Sequence, residues 1–190
     1  LKYLKANLQQ VNIKMVGDHG AITVDPMTAK LYQGNYNGHF TIDARGDKPK
    51  FQASEKLQGV QMQPLLRDMY GFNKLTGSAN VEAAITAAGM TQQEIMRSVN
   101  GSFNLALRNG SWLGTNFAHY PQVLLSMINK GTPPSSSQAS KTDFASLSTS
   151  GVIRNGAATT NDIKLISSIV HVDGKGSTNL ATTSVDMLLN

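Results

Sequence analysis

Metal binding and proton transfer at neutral pH would fall first to four histidines: His19, His39, His119 and His171. His39 and His171 sit in strand-like runs, neither with a partner at ligand spacing, and Asp18-His19-Gly20 reads as a turn ahead of a strand. The chain has no cysteine, which excludes thiolate metal sites and disulfides. Nucleophilic catalysis fares no better. There is no Gly-x-Ser-x-Gly elbow, and no serine has the local context of an activated nucleophile. Gly174-Lys175-Gly176-Ser177-Thr178 has the residue types of a phosphate loop without its spacing, and it precedes a strand instead of a helix N-terminus. Carboxylates such as Asp25, Asp43, Asp68, Glu82, Glu94 and Asp143 stand singly, and the aromatics of a sugar-binding cleft are few. The expectation is a protein that is not an enzyme and carries neither metal nor cofactor.

The net charge of +5 is spread thinly, densest at Lys48-Pro49-Lys50 with Arg45 and Lys56 nearby. That patch reads as a solvated loop; its functional alternative is weak attraction to anionic head groups or nucleic acid. Aromatics at 6% leave few stacking platforms, so no nucleic-acid partner is expected. Charged residues supply 15%, against about 25% in average domains. Ser, Thr, Asn and Gln fill the gap with 58 residues, a supply suited to the solvent face of long β-sheets. At 190 residues the chain can form one good-sized domain or a run of β units. Apolar runs such as Val123-Leu124-Leu125 and Val185 to Leu189 fall far short of the roughly 20 residues that span a bilayer. The chain starts at Leu1 inside an amphipathic pattern, without a signal peptide, and reads as part of a longer protein.

The elements that must position any functional residue are mostly strands, because period-two alternation dominates. Leu4, Ala6 and Leu8 share one parity and Val11, Ile13 and Met15 the other, so a β-bulge or kink is expected at Gln9-Gln10. Ile22 with Val24, Ala29 with Leu31, and Phe40, Ile42 and Ala44 follow. The clearest strand carries Leu75, Gly77, Ala79, Val81, Ala83, Ile85 and Ala87. Phe103, Leu105 and Leu107 continue, then Leu147 to Ile153, Ile163 with Leu165, Val170 with Val172, and Val185, Met187 and Leu189. Asn-Gly pairs suggest type I′ turns at Asn109-Gly110 and Asn155-Gly156, with Asn37-Gly38 and Asn100-Gly101 at helix exits or bulges. Short helices are expected over Pro64–Tyr70 before Gly71, after the Thr91/Glu94 capping box, and over Asn116–Lys130.

A loose Gly-Ser-x-Asn repeat begins at Gly77, Gly101 and Gly176, with a degenerate copy at Gly38, and suggests stacked, similar strand pairs. Small Ala79, Ala83 and Ala87 on the apolar parity fit either tight helix packing or the wall of a groove. Three regions are expected: a β-rich region with short helices over 1–131, a flexible Pro/Ser loop over 132–140, and hairpins completing the same sheet over 141–190. The fold class is mainly β (α+β), an extended curved antiparallel sheet or half-barrel groove with a few short packing helices.

The segment Ala29-Lys-Leu-Tyr-Gln-Gly-Asn-Tyr-Asn-Gly38 and the passage Val99 to Ala118 resemble, in order, the LYxGxYxG hairpin and the strand–turn–helix passage in the C-terminal, periplasmic portion of the AsmA family. Lys141-Thr-Asp-Phe-Ala-Ser-Leu-Ser, Val152 to Gly156, Asn161 to Leu165, Val170 to Gly176 and Val185 to Leu189 follow in the family's order. The Thr132–Ser140 loop departs from the pattern, being shorter and richer in serine.

The resemblance implies a parent anchored in the bacterial inner membrane by a segment absent here, with this part in the periplasm. It implies a role in outer-membrane assembly and kinship with bridge-like proteins whose long curved sheet carries lipid acyl chains. The implied partner is a phospholipid or other envelope lipid, with envelope assembly proteins as further partners. The apolar strand positions expected to line such a groove are Val11, Ile13, Met15, Val81, Ile85, Phe103, Leu105 and Leu107. A second reading is a structural or chaperone-like module whose sheet edges pair with client strands. A third, a piece of an outer-membrane barrel, lacks the aromatic girdles that such a barrel carries.

Overall fold

The computed structural model describes residues 7–114, 141–168, 171–182 and 184–189. In chain order the strands are β1 (Leu8–Asp18), β2 (Ala21–Leu31), β3 (Gly34–Asp43), β4 (Lys50–Gln61), β5 (Ser78–Ala88), β6 (Asn100–Leu113), β7 (Lys141–Arg154), β8 (Ala157–Ile166), β9 (His171–Asn179) and β10 (Ser184–Leu189). Helix α1 (Met62–Tyr70) joins β4 to β5, and α2 (Gln92–Ser98) joins β5 to β6. All ten strands form one open antiparallel sheet in sequential order, so each pairs with its chain neighbours and β1 and β10 are edges. This is the extended antiparallel sheet with short helices that the alternation leads one to expect. The Gly-Ser-x-Asn copies lie in β5, β6 and β9 of this meander. The expected helix at 116–130, the loop at 132–140, His119 and Val170 lie outside the described residues.

Local chemistry explains the connections. His19-Gly20, Tyr32-Gln33 and Asn155-Gly156 each have positive φ at both residues, the backbone of a type I′ hairpin turn. Tyr32-Gln33 closes the LYxGxYxG hairpin, pairing Leu31 with Gly34. The expected irregularity near Gln9-Gln10 is present: the β1–β2 register slips between Gln9 and Asn12. Helix α1 starts two residues before Pro64, whose missing N–H falls within the first turn, and ends on left-handed Gly71. In α2 the Thr91 side chain accepts the Glu94 N–H at 3.2 Å, while Glu94 accepts from the Met90 N–H.

Three expectations are corrected. Asn109-Gly110 is not a hairpin turn: β6 runs through it, Asn109 alone has positive φ, and Arg108 and Gly110 pair with Ser146 and Phe144. The register with β7 is unbroken there, and the extra residue lies on the β5 side, between the pairs Ser78↔Arg108 and Leu75↔Trp112, so the left-handed Asn serves a bulge against the chain entering β5. Asn37-Gly38 lies in the regular middle of β3, whereas Asn100-Gly101 follows the exit of α2. Lys50 and Lys56, read above as part of a solvated loop, are strand residues of β4.

The bulge gives a testable contact. A Cβ on Gly110 would lie 2.5 Å from the Thr76 carbonyl oxygen and 2.6 Å from Cε2 of buried Phe144. Gly110→Val should therefore destabilise the fold by more than about 1 kcal/mol. An unchanged urea midpoint would contradict this packing.

Candidate functional site

The strand registers turn the period-two pattern into continuous rows across the sheet. One row runs through all ten strands: Met15, Val24, Phe40, Ala53, Ile85, Gly101, Ile153, Ala158, Thr178 and Val185. Beside it lies Ile13, Met27, Gly38, Glu55, Ala83, Phe103 and Gly151. A third row holds Ala29, Tyr36, Leu57, Val81, Leu105 and Thr149. The opposite face is polar. There Thr23, Thr41, Gln52, Thr86 and Asn100 form one row and Asn37, Lys56, Glu82, Asn104 and Ser150 another.

Among the described residues, the apolar face is closed along one margin and open elsewhere. Leu31, Val60 and Leu65 form one buried cluster, in which α1 covers the ends of β2 and β4. Ala79, Leu107 and Phe144 form a second, with Met62, Leu75, Val81, Leu147 and Leu165 packed around it. Of the candidate groove residues, Leu107 is 2% exposed and belongs to this core. Val81 lies at its border. Ile85, Phe103 and Leu105 are half-buried and belong to neither buried cluster. Val11, Ile13 and Met15 stand on edge strand β1 and are 51%, 52% and 64% exposed. The registers thus bring Val81, Ile85, Phe103 and Leu105 together, with Ile13 and Met15 four strands from β5 on the same face. Beyond Phe103, the residues Ala158, Ile163, Gly176 and Met187 line an apolar recess of about 180 Å³.

A polar feature absent from the candidates lies in the middle row. The Tyr36 hydroxyl donates to Glu55 Oε2 at 2.5 Å. Burial, and then the bond to this carboxylate, pushes the Tyr36 phenol above its usual value. Gly38 makes room for the pair, since a Cβ there would lie 2.6 Å from Glu55 Oε2. Among the registered positions of β2 to β6, Glu55 is the one charged side chain on the apolar face. Its sequence signal is a carboxylate at an apolar parity: Phe51, Ala53, Glu55, Leu57.

Several other charges are paired surface groups. Arg45 donates to both oxygens of Asp43, which holds that carboxyl well below its ordinary range. Lys56 meets Glu82 at 2.7 Å across the strands, and Lys48 meets Glu94 at 3.3 Å. His39 Nδ1 lies 3.3 Å from an Asp25 oxygen, and His19 bonds to Asp18. No group of three metal-ligating side chains occurs among the described residues. No described helix is long and apolar enough to cross a membrane.

An open, one-sided amphipathic β-sheet is therefore the class of structure that this chain defines. The AsmA family pattern matches residues 1–163, and the chain belongs to that family. It is 20% identical over 180 residues to Protein AsmA of Escherichia coli (strain K12), covering 95% of this chain. The chain spans 29% of that relative's length. No solved structure matches it.

Proposed function

We propose that this chain is a non-enzymatic periplasmic part of an inner-membrane-anchored envelope protein, and that its apolar face holds lipid acyl chains. In this reading it passes lipid between membranes and so supports outer-membrane assembly. The carrying observation is the uncharged row from Met15 to Val185, which crosses ten strands and leaves the clusters under α1 to one side. An acyl chain laid on such a face leaves water at about 0.8 kcal/mol per buried CH₂. AsmA membership supports the envelope setting.

Incubation with phospholipid vesicles, followed by native mass spectrometry, should recover protein carrying lipid near one-to-one or above. Protein that emerges lipid-free from every vesicle composition would overturn the reading. One observation favours a second function, a scaffold for client strands. Among the described residues, edge strand β1 is exposed along its whole length and pairs on one side only. Strand addition there would give crosslinks from β1 to a client β-strand, with no lipid bound.

A further inference from the structure

The acyl-chain reading leaves one side chain unaccounted for. Glu55 stands at the middle of β4, on a face otherwise uncharged from β2 to β6. A carboxylate partly withdrawn from water costs stability unless donors satisfy it. Tyr36 supplies one donor, to Oε2. The cations of β4 do not help: Lys56 lies on the other face with Glu82, and Lys50 pairs in register with Asp43 and Ala88 there. The flanking positions in Glu55's own row are Gly38 and Ala83, which leave the carboxylate standing above a low floor.

The geometry points to Glu55, oriented by Tyr36, as the acceptor for the ammonium group of an amphipathic guest, an aminophospholipid. This deepens the acyl-chain reading and rests on it. Charge complementarity selects the ammonium, because Glu55 is acceptor-only when ionised and offers nothing to a phosphate or carboxylate. Distance fits the chains. From β4 to β8 is four strand spacings, about 19 Å, and one leaflet of a bilayer's hydrocarbon is about 15 Å thick. Acyl chains that start near Glu55 and cross Ala83 and Phe103 therefore end within the recess, whose lining runs from Phe103 on β6 to Ala158 and Ile163 on β8. The chain's net charge of +5 works in the opposite direction, favouring anionic lipid, so a preference for ammonium would have to come from a local site.

The test offers the whole chain mixed vesicles holding equal phosphatidylethanolamine and phosphatidylglycerol with identical acyl chains. Lipid retained on the protein is then quantified by class. Wild type should carry the ethanolamine lipid and the glycerol lipid in a ratio of about five to one. Glu55→Gln, which keeps the shape and removes the charge, should lose the enrichment, its remaining lipid mirroring the vesicle. Tyr36→Phe leaves the carboxylate in place but unoriented, and should reduce the enrichment about twofold; it decides the matter if Glu55→Gln fails to fold by circular dichroism. Wild-type lipid that mirrors the vesicle, or an enrichment that survives in Glu55→Gln, overturns the assignment of Glu55 while leaving acyl-chain binding intact. A wild type that retains neither lipid overturns the acyl-chain reading itself, and this assignment with it.

Discussion

Leu107→Ala should lower the unfolding free energy by about 3 kcal/mol, and with it the melting temperature by about 10 °C. Leu107 is 2% exposed and lies between Ala79, at 0%, and Phe144, at 4%. Met62 from the start of α1, Leu75, Leu147 and Leu165 pack around that trio. Truncation would remove three carbons from a place that strands β5 to β8 hold at fixed spacing, so the surrounding side chains can collapse only partly into the void. The effect should be large because this fold has little core to spare: its described buried clusters are small and lie along one margin of an open sheet. Thermal unfolding by circular dichroism is the direct measurement. A melting temperature within 2 °C of wild type would mean that this margin is not a closed core, and the division of the face into closed and open parts would fail.

That division was out of reach of the sequence, although much else was legible. Strand β5 could be read directly, because its odd positions from Ala79 to Ala87 are all small or apolar and nothing interrupts them. The turn at Asn155-Gly156 was equally plain, with strands flanking a pair of residues that tolerate positive φ. Strand β4 was hidden by its chemistry. Glu55 breaks the apolar parity, and Lys50, Pro49 and Lys56 gave the segment the look of a charged loop. Asn109-Gly110 misled for a different reason: the same left-handed Asn closes a hairpin or makes a bulge, and what decides is whether the partner strand carries on past it. Here β7 does, from Arg154 back to Lys141. The rows themselves join residues far apart in the chain, as Ile85 to Gly101 to Ile153, so no local pattern contains them. Leu105 and Leu107 have the same residue type and parity. Their difference comes from tertiary packing, since Leu107 belongs to the buried cluster that Met62 of α1 helps to close and Leu105 does not.

Ile85→Asp is expected to behave in the opposite way to the Leu107 change, although both residues lie on one face. Ile85 is half-buried, belongs to neither core cluster, and is flanked in register by Ala53 and Gly101, which present little side chain to pack against it. An aspartate there would keep contact with water, so it avoids the large cost of an unpaired charge in a closed interior. The remaining penalty is the poorer strand propensity of Asp, within about 1 kcal/mol. Melting temperature should therefore fall by no more than about 4 °C. Lipid retention should respond far more strongly, because position 85 lies in the row that crosses all ten strands, and a charge there interrupts the surface on which an acyl chain would rest. A drop of at least fivefold in vesicle-derived lipid per protein is the expected result, about 1 kcal/mol of lost binding. The two measurements have to be made on the same preparation. Stability near wild type with lipid lost supports a solvent-open, lipid-holding row at β5. Collapse of stability would place Ile85 in a closed core, and an unchanged lipid load would move the lipid away from this row; either result removes Ile85 from the binding face.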